Sequence, residues 1–175
     1  SIRIMSYNVH NFMHVDGGVK QEDFANQVMD MVREQNPDLL CCQEFAGFKS
    51  GVTRQKCIDI FAEEAGFQYV YYNRHNNYAG NVVFSKYPIE KVSDVSDFAK
   101  ENTYGVMVSV DAGDKGKFHV ANVHLLSYMI TDSEIESLTT PQERQELEAL
   151  GKTLVHKLNF AFQCRSEELQ KVLEG

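Results

Sequence analysis

The stretch PDLLCCQEF, residues 37–45, contains an apolar run and, near the end of that run, a carboxylate, Glu44. Pro37 ends the helical pattern that precedes it, and residues 39–42 are apolar at consecutive positions. Such a short continuous apolar run is typical of a strand that is buried on both faces of a sheet. Carboxylates are rarely buried unless something compensates their charge. The sequence therefore raises the question of what Glu44 faces and what would compensate its charge.

Strand-like and helical patterns alternate on both sides of this stretch. Apolar residues at helical spacing predict amphipathic helices at 20–35 and 53–66, and Gly66 is a suitable C-cap for the second. Alternating or β-branched and aromatic stretches predict strands elsewhere. The predicted strands are 2–9, 38–45, 67–73 and 80–88, followed by a hairpin over 104–125 with its turn at 111–116.

The last part of the chain, residues 141–175, carries apolar residues at three- and four-residue steps and is predicted to be helical. The predicted order is β-α-β-α-β-β-β-β-α, which indicates an α/β (α+β) protein. We expect a mixed β-sheet with helices on one face. With 175 residues the chain is long enough for one domain with a sizeable core, so we expect a single domain over 1–175.

Composition weighs against several classes of function. The net charge is −8, and the Lys and Arg residues form no basic stripe, so long nucleic acids are disfavoured as partners. No apolar run reaches the roughly 18 residues of a membrane span. The four cysteines lack the C-x-x-C spacing of zinc sites and are expected to pack in the core; they are Cys41, Cys42, Cys57 and Cys164.

Polar side chains stand at the carboxyl ends of three predicted strands. They are Asn8 in the first strand, Glu44 in the second, and Asn122 with His124 in the second strand of the hairpin. Strict alternation predicts that each shares a face with apolar residues of its own strand. The predicted rows are Ile2, Ile4 and Asn8; Leu40, Cys42 and Glu44; and Phe118, Val120, Asn122 and His124.

Ligands of open α/β sheets bind beyond the carboxyl ends of the strands. One carboxylate with amide and imidazole neighbours suits a hard divalent cation and an anionic ligand, since Mg²⁺ takes only one or two protein carboxylates. We therefore expect Glu44 to face a divalent metal. The alternatives are that Asn8 starts a turn, that Glu44 faces solvent or pairs with Arg74, and that Asn122 and His124 are hydrogen-bonded core groups.

Four stretches resemble, in order, the motifs of the endonuclease/exonuclease/phosphatase superfamily, which has the deoxyribonuclease-I-like fold. The stretches are IMSYNVHNF (4–12), PDLLCCQEF (37–45), GNVVFSKYPI (80–89) and FHVANVHL (118–125). The resemblance implies the first half of a four-layer α/β sandwich. It also implies phosphoester hydrolysis, in which a water attacks phosphorus in line with the leaving oxygen.

The resemblance implies a role for each candidate residue. Glu44 would be the ligand of Mg²⁺, with Mn²⁺ as the alternative ion, and Asn8 would hold the metal or a phosphate oxygen. Asn81 would line the phosphate-binding pocket. His124 would be catalytic, donating a hydrogen bond to the scissile phosphate, and Asn122 would support it from the same strand face.

Two further motifs of the family, Gly-Asp-x-Asn and Ser-Asp-His, are missing from the sequence. They position and activate the attacking water, so we expect a weakly active or inactive chain whose carboxy-terminal half, with the second sheet, is missing. The sheet face that normally meets the second sheet would then be exposed and would favour self-association. The alternatives are a phosphate- and metal-binding half-domain without catalysis, and a plain structural or interaction domain.

The substrate is a phosphoester of open class, because the family includes deoxyribonucleases, abasic-site endonucleases, sphingomyelinases, inositol-phosphate phosphatases and deadenylases. The motifs look most like those of bacterial members, some of which resemble membrane-anchored proteins. The chain begins at Ser1 rather than Met, which is compatible with an extracytoplasmic or anchored protein from which an upstream segment was removed.

Overall fold

A computed structural model describes residues 1–14, 17–74, 79–94, 104–125, 133, 149–160 and 166. The strands are β1 (Ile4–Asn8), β2 (Leu39–Phe45), β3 (Tyr69–Arg74), β4 (Gly80–Ser85), β5 (Ile89–Asp94), β6 (Tyr104–Asp111) and β7 (Lys117–His124). The helices are α1 (Gln21–Gln35) and α2 (Arg54–Ala65), and residues 149–160 are also helical. Other parts of the helix predicted over 141–175 lie outside the described residues.

The chain divides into two compact units. The first comprises Ser1–Asp97 and Tyr104–His124, and it contains all seven strands with α1 and α2. The second comprises Phe98–Thr103 and Leu125–Gly175. No helix in the described ranges is both long and apolar enough to span a membrane. The single domain that the sequence predicts stays a prediction.

The first sheet has the strand order β1-β2-β4-β3. Strands β1 and β2 are parallel, with Asn8 opposite Gln43, and the other two pairs are antiparallel. Both helices pack on one face of this sheet, where Val32 of α1 and Ile58 of α2 are completely buried against Phe84 of β4. The mixed sheet with helices on one face, and with it the α/β fold class, is confirmed.

The helix termini follow the local sequence signals. The side chain of Thr53 accepts a hydrogen bond from the backbone N–H of Lys56, which caps the N-terminus of α2. Gly66 ends α2 with a φ of 82°, a left-handed conformation that glycine adopts without a Cβ penalty. These two residues explain why the predicted bounds of α2 agree with the structure to within a residue.

The second sheet is antiparallel, with the order β5-β6-β7. It covers the face of the first sheet that is opposite the helices. Leu39 and Val83 of the first sheet are completely buried there against Val106, Val108 and Val110 of β6. These apolar contacts hold the two sheets together.

The second sheet corrects two expectations. The sequence patterns missed β5, because its segment IEKVSD alternates only weakly between apolar and polar residues. The expectation that the second sheet lies wholly in a missing half is wrong, since three of its strands are present. The inner face of the first sheet is consequently covered at Leu39, Cys41 and Val83, whereas Ile4 at the β1 edge remains 50% exposed.

Candidate functional site

Three of the predicted site residues meet at one carboxylate oxygen. The amide Nδ2 of Asn8 donates a hydrogen bond to Oε1 of Glu44 at 2.9 Å. Nε2 of His124 lies 2.9 Å from the same oxygen. Asn8 ends β1, Glu44 stands near the end of β2, and His124 ends β7, so the cluster joins the carboxyl ends of strands from both sheets.

Glu44 reaches this position through a bulge in β2. The register between β2 and β4 shifts between Cys42 and Phe45, and Glu44 has a φ of 54°. Phe45 is consequently buried on the helix side of the sheet together with Cys42, while Glu44 turns toward β7. The prediction that Glu44 shares a face with Leu40 and Cys42 is therefore wrong, because a bulge breaks strict alternation.

The chain after Asn8 forms a short left-handed turn. His10, Asn11 and Phe12 have φ values of 47°, 55° and 57°, an uncommon conformation for residues other than glycine. The backbone N–H of His10 donates to Oδ1 of Asn8 at 2.8 Å. The ring of Phe12 is completely buried, with its centroid 4.9 Å from that of Phe45. The turn thus fixes the oxygen end of the Asn8 amide, while Glu44 holds its nitrogen end.

The cluster favours the ionised form of Glu44. Partial burial raises the pKa of its carboxyl group, but the hydrogen bonds from Asn8 and His124 and the charges of His124 and His10 lower it. The net result is a pKa below the ordinary value of 4.5. The alternative partner, Arg74, is not among the hydrogen-bond partners of Glu44 in the described residues.

The imidazole of His124 is held by the residue opposite it in the hairpin. Tyr104 pairs with His124 across β6 and β7, and the two rings stack at a centroid distance of 4.7 Å and an angle of 16°. Nδ1 of His124 is buried and has no hydrogen-bond partner in the described part of the chain. Burial, with the charges of Glu44 and Tyr72, raises the pKa of Tyr104 to about 12.

Asn122 is buried between the two sheets, with 1% of its surface exposed. Its Nδ2 donates to the backbone carbonyls of Cys42 and Val82, each at 3.0 Å. Its Oδ1 accepts a hydrogen bond from the side chain of Gln43. Asn122 thus ties β7 to the first sheet, two residues before His124.

Asn81 is completely buried, and its Nδ2 donates to the carbonyls of Tyr104 and Asn122. In this conformation it offers no exposed surface to a phosphate, in contrast to the role that the sequence motif implies. Its Oδ1 has no hydrogen-bond partner among the described residues. The structure therefore places Asn81 beside the cluster, at the contact between the sheets.

The oxygen atoms available at this cluster fit a metal cation that takes few protein ligands. Oε2 of Glu44 accepts no hydrogen bond within the described ranges, while Oε1 accepts two. The described residues contain no group of three or more His, Cys, Asp and Glu residues that could hold a metal. A single carboxylate with one oxygen that accepts no hydrogen bond from the described residues matches the ligation of Mg²⁺, which fills its remaining positions with water and phosphate oxygens.

The sequence motifs did not identify three residues that contact the predicted site residues. Gln43 precedes Glu44 and bonds Asn122, Tyr104 stacks on His124, and His10 bonds Asn8. Tyr104 could have been found by counting outward from the hairpin turn, because this count pairs it with His124. No local signal marks Gln43 or His10, since their partners are set by the contact between sheets and by the left-handed turn.

Solved structures of similar fold come from bacteria and animals. An endonuclease/exonuclease/phosphatase from Beutenbergia cavernae DSM 12333 has a TM-score of 0.51 at 19% identity, over 79% of this chain and 42% of that one. D. rerio TDP2 complexed with a single-strand DNA product has a TM-score of 0.52 at 13% identity, over 79% and 52%. The human Nocturnin catalytic domain with bound sulfate anion has a TM-score of 0.52 at 18% identity, over 76% and 52%.

The chain thus spans 42% to 52% of the length of these three structures. The comparison with curated protein sequences gave no match. The model of the Endonuclease/Exonuclease/phosphatase family, in contrast, matches residues 5–156, which include the strands that carry Asn8, Glu44, Asn81, Asn122 and His124. The chain therefore belongs to the endonuclease/exonuclease/phosphatase family.

Proposed function

We propose that this chain carries the metal- and phosphate-binding part of a phosphoester hydrolase. The observation that supports this proposal is the convergence of Asn8 and His124, from two different sheets, on one ionised carboxylate. Carboxylates with shifted pKa values that lie at strand ends are frequent in functional sites. Family membership supports the same reaction class.

The proposed cofactor is Mg²⁺ or Mn²⁺. Glu44 would hold the cation through the oxygen that accepts no hydrogen bond, and Asn8 would orient the carboxylate through Nδ2 or contribute its amide oxygen, which accepts from His10 in this conformation. When bound, such a cation supplies positive charge that offsets the negative charge developing on a phosphoryl group. The low pKa of Glu44 keeps the ligand ionised at neutral pH.

His124 is proposed to donate a hydrogen bond to a phosphate oxygen. Its Nε2 now contacts Glu44, and hydrogen bonds of this kind often rearrange when a substrate binds. Stacking on Tyr104 restricts the imidazole ring, which reduces the entropy lost on binding. Asn122 and Asn81 are proposed to act through the position of β7, because both are buried in cross-sheet hydrogen bonds.

Activation of the attacking water is the part that this sequence lacks. It contains neither Gly-Asp-x-Asn nor Ser-Asp-His. We therefore infer that the chain alone turns over phosphoesters slowly or not at all. The second candidate function is binding of a metal and a phosphate group without catalysis, which the intact Asn8–Glu44–His124 cluster supports equally well.

The substrate class is proposed at the level of a phosphoester anion. Among proteins of similar fold, D. rerio TDP2 was solved with a single-strand DNA product and human Nocturnin with a sulfate anion. The net charge of −8 weighs against a long nucleic acid, because each phosphate contact needs a compensating cation. A small phosphoester or a short strand end is therefore the substrate that the composition favours.

Binding of Mn²⁺ tests the site without requiring turnover. Isothermal titration of the chain with Mn²⁺ is expected to give one site, which Glu44→Gln removes. Glu63→Gln, on the exposed surface of α2, is the matched control and is expected to bind as the wild type does. Equal Mn²⁺ binding by wild type and Glu44→Gln would overturn the proposed metal site.

Hydrolysis tests the catalytic half of the proposal. The pure chain is assayed with Mg²⁺ on bis-p-nitrophenyl phosphate, p-nitrophenyl phosphate and a short DNA strand. The same assays are made on His124→Ala and on the control His119→Ala, which changes an exposed residue of β7. Slow turnover that His124→Ala abolishes supports a hydrolase, and metal binding without turnover supports the second candidate. Rapid Mg²⁺-dependent turnover would contradict the inferred need for further catalytic residues.

Self-association remains part of the proposal in a narrower form. The inner face of the first sheet is largely covered, and the large apolar side chain exposed on β1 is Ile4. Association through this edge is expected to be weak and to depend on Ile4. Sedimentation of the wild type and of Ile4→Thr measures this association. If both proteins are monomeric at high concentration, the proposed self-association is wrong.

A further inference from the structure

We propose that Gln43 is a positioning residue, which holds β7 against β2 so that His124 meets Glu44. The side chain of Gln43 is 9% exposed and bonds none of the three residues in the cluster. Its effect on the site must therefore pass through other residues. The importance of this effect for chemistry rests on the function proposed above, whereas the positioning itself is a property of the fold.

The amide nitrogen of Gln43 faces acceptors on three strands. Nε2 lies 2.8 Å from Oδ1 of Asn122 in β7, 3.2 Å from Oγ of Ser6 in β1 and 3.3 Å from the carbonyl of Cys41 in β2. An amide nitrogen carries two hydrogens. The two shortest contacts therefore tie β2 to a strand of each sheet, at the level where the cluster forms.

Asn122 can accept from Gln43 in only one orientation of its own amide. Its Nδ2 donates to the carbonyls of Cys42 and Val82, which can only accept. If the Asn122 amide were flipped, its N–H groups would face the N–H groups of Gln43. Its oxygen would then face the two carbonyl oxygens. Because these groups are buried, an incorrect orientation leaves several of them unpaired. Gln43 and the two carbonyls together fix the orientation of Asn122.

The position of β7 depends on such side-chain contacts more than that of an inner strand does. Among the described residues, β7 has a strand neighbour on one side only in the order β5-β6-β7. Asn122 and His124 are two residues apart and lie on the same face of β7, so a displacement of Asn122 moves His124 in the same direction. The 2.9 Å contact between His124 and Glu44 is therefore expected to require the hydrogen bond from Gln43.

Nuclear Overhauser contacts between the His124 ring and the Glu44 methylene groups test this inference without a metal or a substrate. Gln43→Leu removes the donor at similar size and is expected to lose these contacts. Gln68→Leu changes an exposed glutamine and is expected to keep them. Val108→Ala weakens the sheet contact without touching the polar groups, and it is also expected to keep them. Loss in all three variants would indicate a merely structural role.

Gln43→Glu is a second variant, in case Gln43→Leu does not fold. It preserves the side-chain shape but places a carboxylate against the acceptor oxygen of Asn122, so the same loss is expected. Retention of the contacts between His124 and Glu44 in either folded variant would overturn the inference. Retention after Val108→Ala with loss after the Gln43 substitutions would support it.

Mn²⁺ affinity, measured from the paramagnetic resonance of the free ion, is the second readout. Residues that orient metal ligands typically contribute about 10–100-fold to metal affinity. Gln43→Leu is expected to weaken Mn²⁺ binding by about tenfold or more, and Val108→Ala to leave it unchanged. A wild type that binds no Mn²⁺ would contradict the proposed metal site, and the contacts between His124 and Glu44 would still decide the role of Gln43.

Discussion

Nε2 of His124 lies 2.9 Å from Oε1 of Glu44, although the two residues are 80 positions apart and belong to different sheets. Neither sheet alone can form this contact. The site therefore depends on the contact between the two sheets, where polar side chains of β7 bond the first sheet. Substitutions that remove these cross-sheet hydrogen bonds are expected to change the cluster and the stability together.

The first prediction concerns the pH dependence of stability. The pKa of Glu44 lies below its ordinary value of 4.5 in the folded protein, so the unfolded state binds this proton more readily. The resulting stabilisation is fully present above the unfolded pKa and is lost as the pH falls through the folded pKa. Glu44→Gln is expected to remove this contribution, so that the two proteins differ less in stability at low pH.

Urea unfolding of wild type and Glu44→Gln at several values between about pH 6 and pH 3 measures this contribution. The difference between the two proteins isolates Glu44, because Asp38 and Asp111 also have lowered pKa values and remain in both. A difference in unfolding free energy that does not change across this range would contradict the prediction.

Gly105→Ala is expected to disturb the contact between β6 and β7. A Cβ at this position would lie 2.4 Å from the carbonyl oxygen of Asn122, which accepts the hydrogen bond from Asn81. The new Cβ and this carbonyl oxygen are held by the backbones of two paired strands. The strands must therefore move apart to relieve the clash. We expect a loss of about 1–3 kcal/mol in unfolding free energy or more, measured by chemical denaturation.

Gly151→Ala is the matched control for this substitution. Gly151 lies in the helical residues 149–160, and outside the backbone of this helix a Cβ there would meet no atom of the described residues within 4 Å. Alanine in a helix is more favourable than glycine by about 0.5–1 kcal/mol, so this variant is expected to be slightly more stable. Equal effects of the two substitutions would argue against a specific close approach at Gly105.

Tyr104→Leu is expected to free the His124 ring. The stacked rings are 4.7 Å apart, and aromatic pairs contribute about 0.5–1.5 kcal/mol beyond the burial of their surface. The ring protons of His124 should lose the shift that the neighbouring aromatic ring causes. Tyr104→Phe retains an aromatic ring and is expected to keep that shift, so the same change in both variants would contradict the prediction.

Phe12→Ala is expected to destabilise both the core and the left-handed turn. The ring is completely buried against Phe45, Phe48 and Phe61, and its removal should cost about 3–5 kcal/mol. The amide of His10, which donates to Asn8, should exchange with solvent faster than in the wild type.

Met13→Ala is the control for Phe12→Ala, because Met13 is adjacent in the chain but 47% exposed. Its effect on unfolding free energy is expected to stay within about 0.5 kcal/mol. Similar destabilisation by the two substitutions would show that the turn depends on local backbone interactions and not on the buried ring of Phe12.

Much of the fold follows from periodicity and end signals. The continuous apolar run in 38–45 predicts β2, and the start at Thr53 and end at Gly66 predict α2 to within a residue. Strand β5 escapes prediction because most of its residues are exposed or half-buried, which weakens the period-two pattern. Local patterns are reliable where the burial of one or both faces is strong enough to show in the apolar residues of the element.

Some features of the candidate site could likewise be predicted from the sequence and others could not. Asn8, Glu44, Asn122 and His124 stand at strand ends, and position in the sequence is sufficient to predict that they share one edge of the fold. The face of Glu44 could not be predicted, since a bulge with a left-handed φ reverses it. The burial of Asn81 could not be predicted either, because it depends on two carbonyls from the second sheet.

The sequence by itself determined the order of the strands other than β5, the positions of α1 and α2, and the polar character of three strand ends. These features depend on interactions between residues close in the chain. Only the tertiary structure decided which polar groups meet, because Asn8, Glu44 and His124 are brought together by the parallel pairing of β1 with β2 and by the packing of two sheets. The physical reason is that hydrogen bonds and packing act over a few ångströms of space, whatever the separation along the chain.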